Sequence, residues 1–125
     1  MDLNYYDTLI ALADDCPTQT SVVPAERGGK PTIATLQYQM LADNPPFTFT
    51  QKDVLFETWI TRQGIPDLTD EKREALREDF FAKPQACLRS SPLPKRFGWG
   101  LLFDKQGRVA LCPAESDVYT QMVEG

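Results

Sequence analysis

The sequence contains no histidine, and this absence excludes more than any residue present implies. Histidine is the side chain whose unperturbed pKa lies near neutrality, and it is the commonest metal ligand. Without it there are no Ser-His-Asp or Cys-His nucleophile systems and no zinc or iron sites built on imidazole. Any catalysis must run on carboxylate, lysine, tyrosine or thiol chemistry. Cysteine is scarce too. Cys16, Cys87 and Cys112 are odd in number and far apart, which fits neither a disulfide framework nor a paired CxxC metal site, so reduced thiols and no metal are expected. The early apolar run, Leu9 to Ala13, has no basic region before it and is too short for a signal-peptide core or a membrane span. A cytoplasmic protein with no membrane association is the expectation.

What is present is ordinary globular material. A chain of 125 residues with 42% hydrophobic and 25% charged side chains suits one self-sufficient domain, residues 1–125, with one core. The formal charge of −5 is unevenly spread: Lys83, Arg89, Lys95, Arg96, Lys105 and Arg108 against Asp104 give residues 83–108 a net +5, leaving −10 on the rest. An acidic body with a basic segment disfavours broad nucleic-acid binding and permits a local anion site.

Residues 5–13 read as a strand on their aromatic and apolar content, although Asn4 followed by Asp7 offers an alternative helix cap. A polar, proline-bearing loop runs on to Lys30. Thr32 is placed to cap a helix reaching about Ala42, which Asn44-Pro45-Pro46 stops. Thr50 caps a second helix, with Asp53 three residues on and Phe49 stapled to Val54; Leu55, Trp59 and Ile60 continue its buried face, and Gly64 with Pro66 marks its exit. A third helix, from about Thr69 to Ala82, has acidic residues in its first turn and a narrow apolar stripe of Ala75, Leu76 and Phe80, which suits a surface position. Pro84, Pro92 and Pro94 make the following stretch an extended connector. Residues 97–103 and 108–112 form a hairpin about Asp104–Gly107, and a short helix after Ser116, with Val118, Tyr119 and Met122, closes the fold. The expected class is α+β: a small, largely antiparallel three-stranded sheet against three main helices plus the short C-terminal helix.

Arg27-Gly-Gly-Lys30 imitates a phosphate loop, but Pro24 stands where the first glycine belongs and Pro31 where Ser or Thr must follow the lysine. A flexible lead-in to the helix is the better reading. Asp14, Asp15 and Cys16 are potential metal ligands, yet adjacent acids at a strand end make a solvated turn and no second cluster supports them. Glu71, Glu74, Glu78 and Asp79 alternate with Lys72, Arg73 and Arg77, the pattern of an ion-paired helix face. Cys16 has acidic neighbours and Cys112 lies within a strand; Cys87, two residues before Arg89, is the one candidate reactive thiol, set against an inert reading.

The stretch from Cys87 to Gly100 is the strongest candidate surface. Arg89, Lys95 and Arg96 offer donors to a phosphate or carboxylate, Ser90 and Ser91 add hydroxyls, and the prolines restrict the chain. Gly98 and Gly100 leave both flanks of Trp99 open, which marks close approach of a ligand or of another backbone. The competing reading is a rigid crossover delivering a core tryptophan, with its charges in water.

Asn4-Tyr-Tyr-Asp-Thr8, Asp15-Cys-Pro17, Arg27-Gly-Gly-Lys30, Leu36-Gln-Tyr38, Asp53-Val-Leu-Phe-Glu57 and Ser91-Pro-Leu-Pro-Lys-Arg-Phe-Gly-Trp-Gly100 together resemble a family of small bacterial proteins, domain of unknown function number 6157. The resemblance covers nearly the whole chain and implies a complete protein. It carries no activity, cofactor or catalytic residues with it. The functional expectation is therefore a non-enzymatic binding or interaction module, with residues 87–100 engaging an anionic group on a small molecule or partner protein and no cofactor. The alternative is a histidine-free enzyme acting on a phosphorylated or carboxylated metabolite with Cys87 or a carboxylate near that loop. A homo-oligomer with Trp99 or Trp59 at the contact is a third expectation.

Overall fold

The computed structural model describes residues 5–124, so Asn4, the alternative helix cap, lies outside them. Helix α1 (Ile33–Ala42) starts where expected. The Thr32 hydroxyl accepts from the Thr35 N–H at 3.2 Å, and the Thr35 hydroxyl accepts from the Thr32 N–H at 2.7 Å, so each threonine satisfies a backbone donor that a helix start leaves orphaned. Helix α2 (Gln51–Gln63) has the same reciprocal cap between Thr50 and Asp53, at 3.3 and 3.0 Å. Helix α3 (Asp70–Ala82) is capped by Thr69 and buries no residue completely, as its narrow stripe implies.

The sheet has four antiparallel strands, one more than expected: β1 (Thr8–Ile10), β2 (Phe49–Thr50), β3 (Trp99–Phe103) and β4 (Arg108–Pro113), in the order β1-β3-β4-β2. β2 is only two residues long and runs straight into the α2 cap, which hides it from any periodicity. β1 is shorter than residues 5–13 because the chain turns away after Ile10. The Leu12 N–H then donates to the Tyr119 hydroxyl at 2.9 Å and the Ala13 N–H to the Pro94 carbonyl at 3.0 Å. The hairpin falls where expected, with the Asp104 carboxylate accepting from the N–H groups of Gln106 and Arg108.

Five helices replace the expected three plus one. The supposed extended connector is a 3-10 turn (Leu88–Ser90) followed by α4 (Pro92–Arg96). Both prolines occupy the first turn of α4, where a backbone N–H has no helical acceptor to lose, so they permit the helix rather than prevent it. The C-terminal helix, α5 (Asp117–Glu124), closes the fold less completely than expected: Tyr119 turns inward, while Val118 and Met122 stay 51% and 44% exposed.

The core lies between the sheet and the layer formed by α1, α2 and α4, and gathers Ile10, Leu41, Val54, Leu88, Leu93, Leu101, Phe103 and Val109. The face of α2 differs from the expected one. Val54, Phe56, Thr58 and Ile60 are buried, whereas Leu55 and Trp59 remain half-buried. Two sides of α2 are covered, because α3 crosses over Phe56 with Phe80, 5.9 Å between ring centroids, and with the guanidinium groups of Arg73 and Arg77, each 5.5 Å from the ring. Those arginines also correct the ion-pairing read from α3 alone. They pair with Glu57 and Asp53 of α2 instead of with their own helix.

Candidate functional site

Two buried glutamines fix the segment that carries most of the candidate residues. Gln51 of α2 accepts from the Leu88 N–H at 2.7 Å, and Gln37 of α1 accepts from the Ser91 hydroxyl at 2.6 Å. Leu88 and Leu93 drive into the core on either side of Ser91. Ser91 itself is buried, and its oxygen also caps α4 by accepting from the Leu93 N–H at 3.2 Å. Its hydrogen bonds therefore go to its own chain.

Because this segment is helical, its side chains fan out instead of lining one strip. Arg89 and Lys95 face a groove of about 380 Å³ beside Leu9–Asp14. Cys87, Ser90 and Ser91 line a second, largely apolar groove of about 250 Å³ with Leu55, Trp59 and Phe80. Arg96 lines a third, of about 330 Å³. Trp99 joins none of these: its indole N–H donates to the Val22 carbonyl at 2.8 Å and its ring lies 5.3 Å from that of Tyr38. The space left by its flanking glycines is filled from within the chain. A Cβ at Gly98 would stand 2.1 Å from the Thr20 carbonyl oxygen, and one at Gly100 would meet the Tyr119 ring. Close approach of another backbone, one of the two readings of Gly98, is what the fold uses.

The third groove assembles charges that are distant in sequence. Arg27 comes from a tight turn in which Arg27 and Lys30 exchange backbone hydrogen bonds at 3.1 and 3.0 Å, with Gly28 and Gly29 both at positive φ. The lead-in to α1 thus takes the form of a tight turn, with both central positions in the left-handed conformation that glycine takes without steric cost. Arg62 lies in the last turn of α2 and Arg96 ends α4. Thr32, Ile33, Pro92 and Phe97 complete the walls, and no carboxylate lines them. Among the described residues, none of these three guanidinium groups has an ion pair or a side-chain hydrogen bond. Each guanidinium carries a planar fork of donors matched to carboxylate or phosphate oxygens. Sequence reasoning placed only Arg96 here. Arg27 was visible as the basic end of a glycine turn, whereas nothing local marks Arg62.

Cys87 has a different setting. The Tyr5 hydroxyl donates to its sulfur at 3.3 Å, while the Arg89 Nε–H donates to that hydroxyl at 3.2 Å and the guanidinium stacks 5.5 Å from the Tyr5 ring. Burial pushes the Cys87 thiol up, but the Tyr5 hydrogen bond, a backbone N–H and the Arg89 charge together outweigh it and bring the thiol below its ordinary range. Tyr5 is held above its usual value, first because it donates to Cys87 and second through burial. Cys112, buried in β4, is pushed up by desolvation, and Cys16 is buried as well. Among the described residues no three His, Cys, Asp or Glu side chains cluster so as to hold a metal ion, and no helix is long and apolar enough to cross a membrane.

The chain belongs to a family of unknown function (DUF6157), whose model matches residues 1–125. No curated protein and no solved structure matches it.

Proposed function

We propose that this protein is a binding module that takes an anionic group, with Arg96 of the basic 87–100 segment acting together with Arg27 and Arg62. The single observation that carries this reading is three arginines around one groove, without an ion pair or side-chain hydrogen bond among the described residues, and with no carboxylate in its wall. Three arginines lining one groove with no carboxylate in its wall leave an anion free to collect charge-assisted hydrogen bonds there. A thermal-shift screen against phosphorylated and carboxylated metabolites at low salt tests it. A ligand present at a hundred times its dissociation constant stabilises by about 2.7 kcal/mol, an easily read shift. The expected result is stabilisation by anions that Arg96→Ala weakens and Arg89→Ala does not, because Arg89 is engaged with Tyr5. A flat screen would overturn the reading.

The setting of Cys87 favours a second reading, a histidine-free enzyme using that thiol. Tyr5 and Arg89 supply the donor and the positive charge that a thiolate needs. Alkylation of Cys87 at neutral pH faster than that of a model thiol would support this alternative, and an equal rate would remove it.

A further inference from the structure

We infer that the anion is the head of an amphiphile, a medium-chain alkyl carboxylate, whose tail lies in the apolar groove next to the arginines. The inference rests on the anion-binding reading and specifies its ligand. Its starting point is continuity. Ile33, Arg62 and Pro92 line both the arginine groove and the apolar groove of about 250 Å³, so the two grooves adjoin at these residues, which a bound chain would have to cross.

The two grooves differ in chemistry. One end holds Arg27, Arg62 and Arg96; the other is walled by Leu55, Trp59, Phe80 and Leu88, and its one charged lining residue is Arg62, at the junction. Ile33 stands at the same junction, 39% exposed in the first turn of α1, a position where solvent alone would favour a polar side chain. Trp59 and Leu55 belong to the helix face that sequence periodicity assigns to the core, yet both are only half-buried, so apolar surface is left uncovered beside fixed positive charge. Arg62 suits a junction because its alkyl stem packs on apolar surface while its head faces the anion. A fully charged ligand would leave the Trp59 groove empty, and a fully apolar one would leave three guanidinium groups without partners. An alkyl carboxylate satisfies both, with its single negative charge at one end.

Isothermal titration of the full chain with butyrate, hexanoate, octanoate and decanoate, below their aggregation concentrations and at low salt, tests this, with octanol as the neutral control. Affinity is expected to rise about fourfold for each added methylene that reaches the groove, by the free energy of burying one CH₂. Octanol should bind far more weakly than octanoate. Arg62→Ala should lower the affinity for every chain length at least tenfold, the loss of one charge-assisted contact. Ile33→Ser, a change at a position 39% exposed, should reduce octanoate affinity several-fold and leave butyrate unchanged; Trp59→Ala should flatten the chain-length dependence further. If short anions bind and length adds nothing, the amphiphile inference is overturned while the anion site stands. If octanol matches octanoate, or if only anionic phospholipid vesicles bind and free carboxylates do not, the inference is likewise overturned. If no anion of any length binds, the anion reading falls and takes this one with it.

Discussion

Two groups of arginines differ in what surrounds them. Arg73 and Arg77 of α3 face carboxylates of α2 and lie over Phe56, so their charges are answered within the fold. Arg27, Arg62 and Arg96 line one groove whose wall holds no carboxylate. The first group fastens a surface helix that buries no residue of its own completely. The second has no ion pair among the described residues and lines one groove of a chain of net charge −5. Arginine content alone would not separate these roles; the distribution of partners does.

The sharpest way to break this comparison is to remove arginines from each group and read binding and stability separately. Arg62→Ala combined with Arg96→Ala is expected to lower anion affinity at least a hundredfold, since hydrogen bonds to charged groups are worth about 1.5–3 kcal/mol each. Their unfolding free energy should stay within about 0.5 kcal/mol of wild type, as for surface positions without partners. Next in size is the clamp that holds Arg96 in place. Gln51→Leu leaves the buried Leu88 N–H without the acceptor it now has at 2.7 Å, and denaturant unfolding should show a loss of about 1–3 kcal/mol. Arg77→Ala should give the reverse of the groove variants. It removes a part-exposed ion pair and stacking on two rings, so stability should fall by about 1–2 kcal/mol with anion affinity unchanged.

The smallest effect concerns pH. Cys87 titrates lower in the fold than when unfolded, so it contributes stability above its unfolded pKa, and that contribution is lost as pH falls through the folded value. Tyr5 has the opposite sign: its raised value favours the fold below its unfolded pKa, and this is lost as pH rises through the folded one. Alkylation followed by mass spectrometry across alkaline pH should therefore find Cys87 reacting at lower pH than Cys112, whose thiol burial pushes up.

Much of the helical framework was legible because caps are local. Thr32, Thr50 and Thr69 each announce a helix within four residues, and Asp104–Gly107 announces a hairpin. Two elements escaped for definite reasons. β2 exists only through its pairing with Val109 and Arg108, nearly sixty residues further on, and α4 is disguised by prolines that its first turn accommodates. The candidate site was legible in part. The basic segment holds Arg96, but its helical form sends Arg89 and Lys95 to one side and Arg96 to another, and Ser91 and Trp99 are occupied by their own chain. Arg62 joins Arg96 only because the fold brings the end of α2, the start of α1 and α4 around one groove, a long-range arrangement that no local pattern encodes.

The most direct test is a titration of wild type, Arg62→Ala/Arg96→Ala and Arg77→Ala with the most stabilising anion from the thermal-shift screen, at low and at high salt. The comparison predicts saturable binding to wild type that weakens with salt, persists in Arg77→Ala and disappears in the double variant with its stability intact. Undiminished binding by the double variant, or loss of binding in a folded Arg77→Ala, would contradict it.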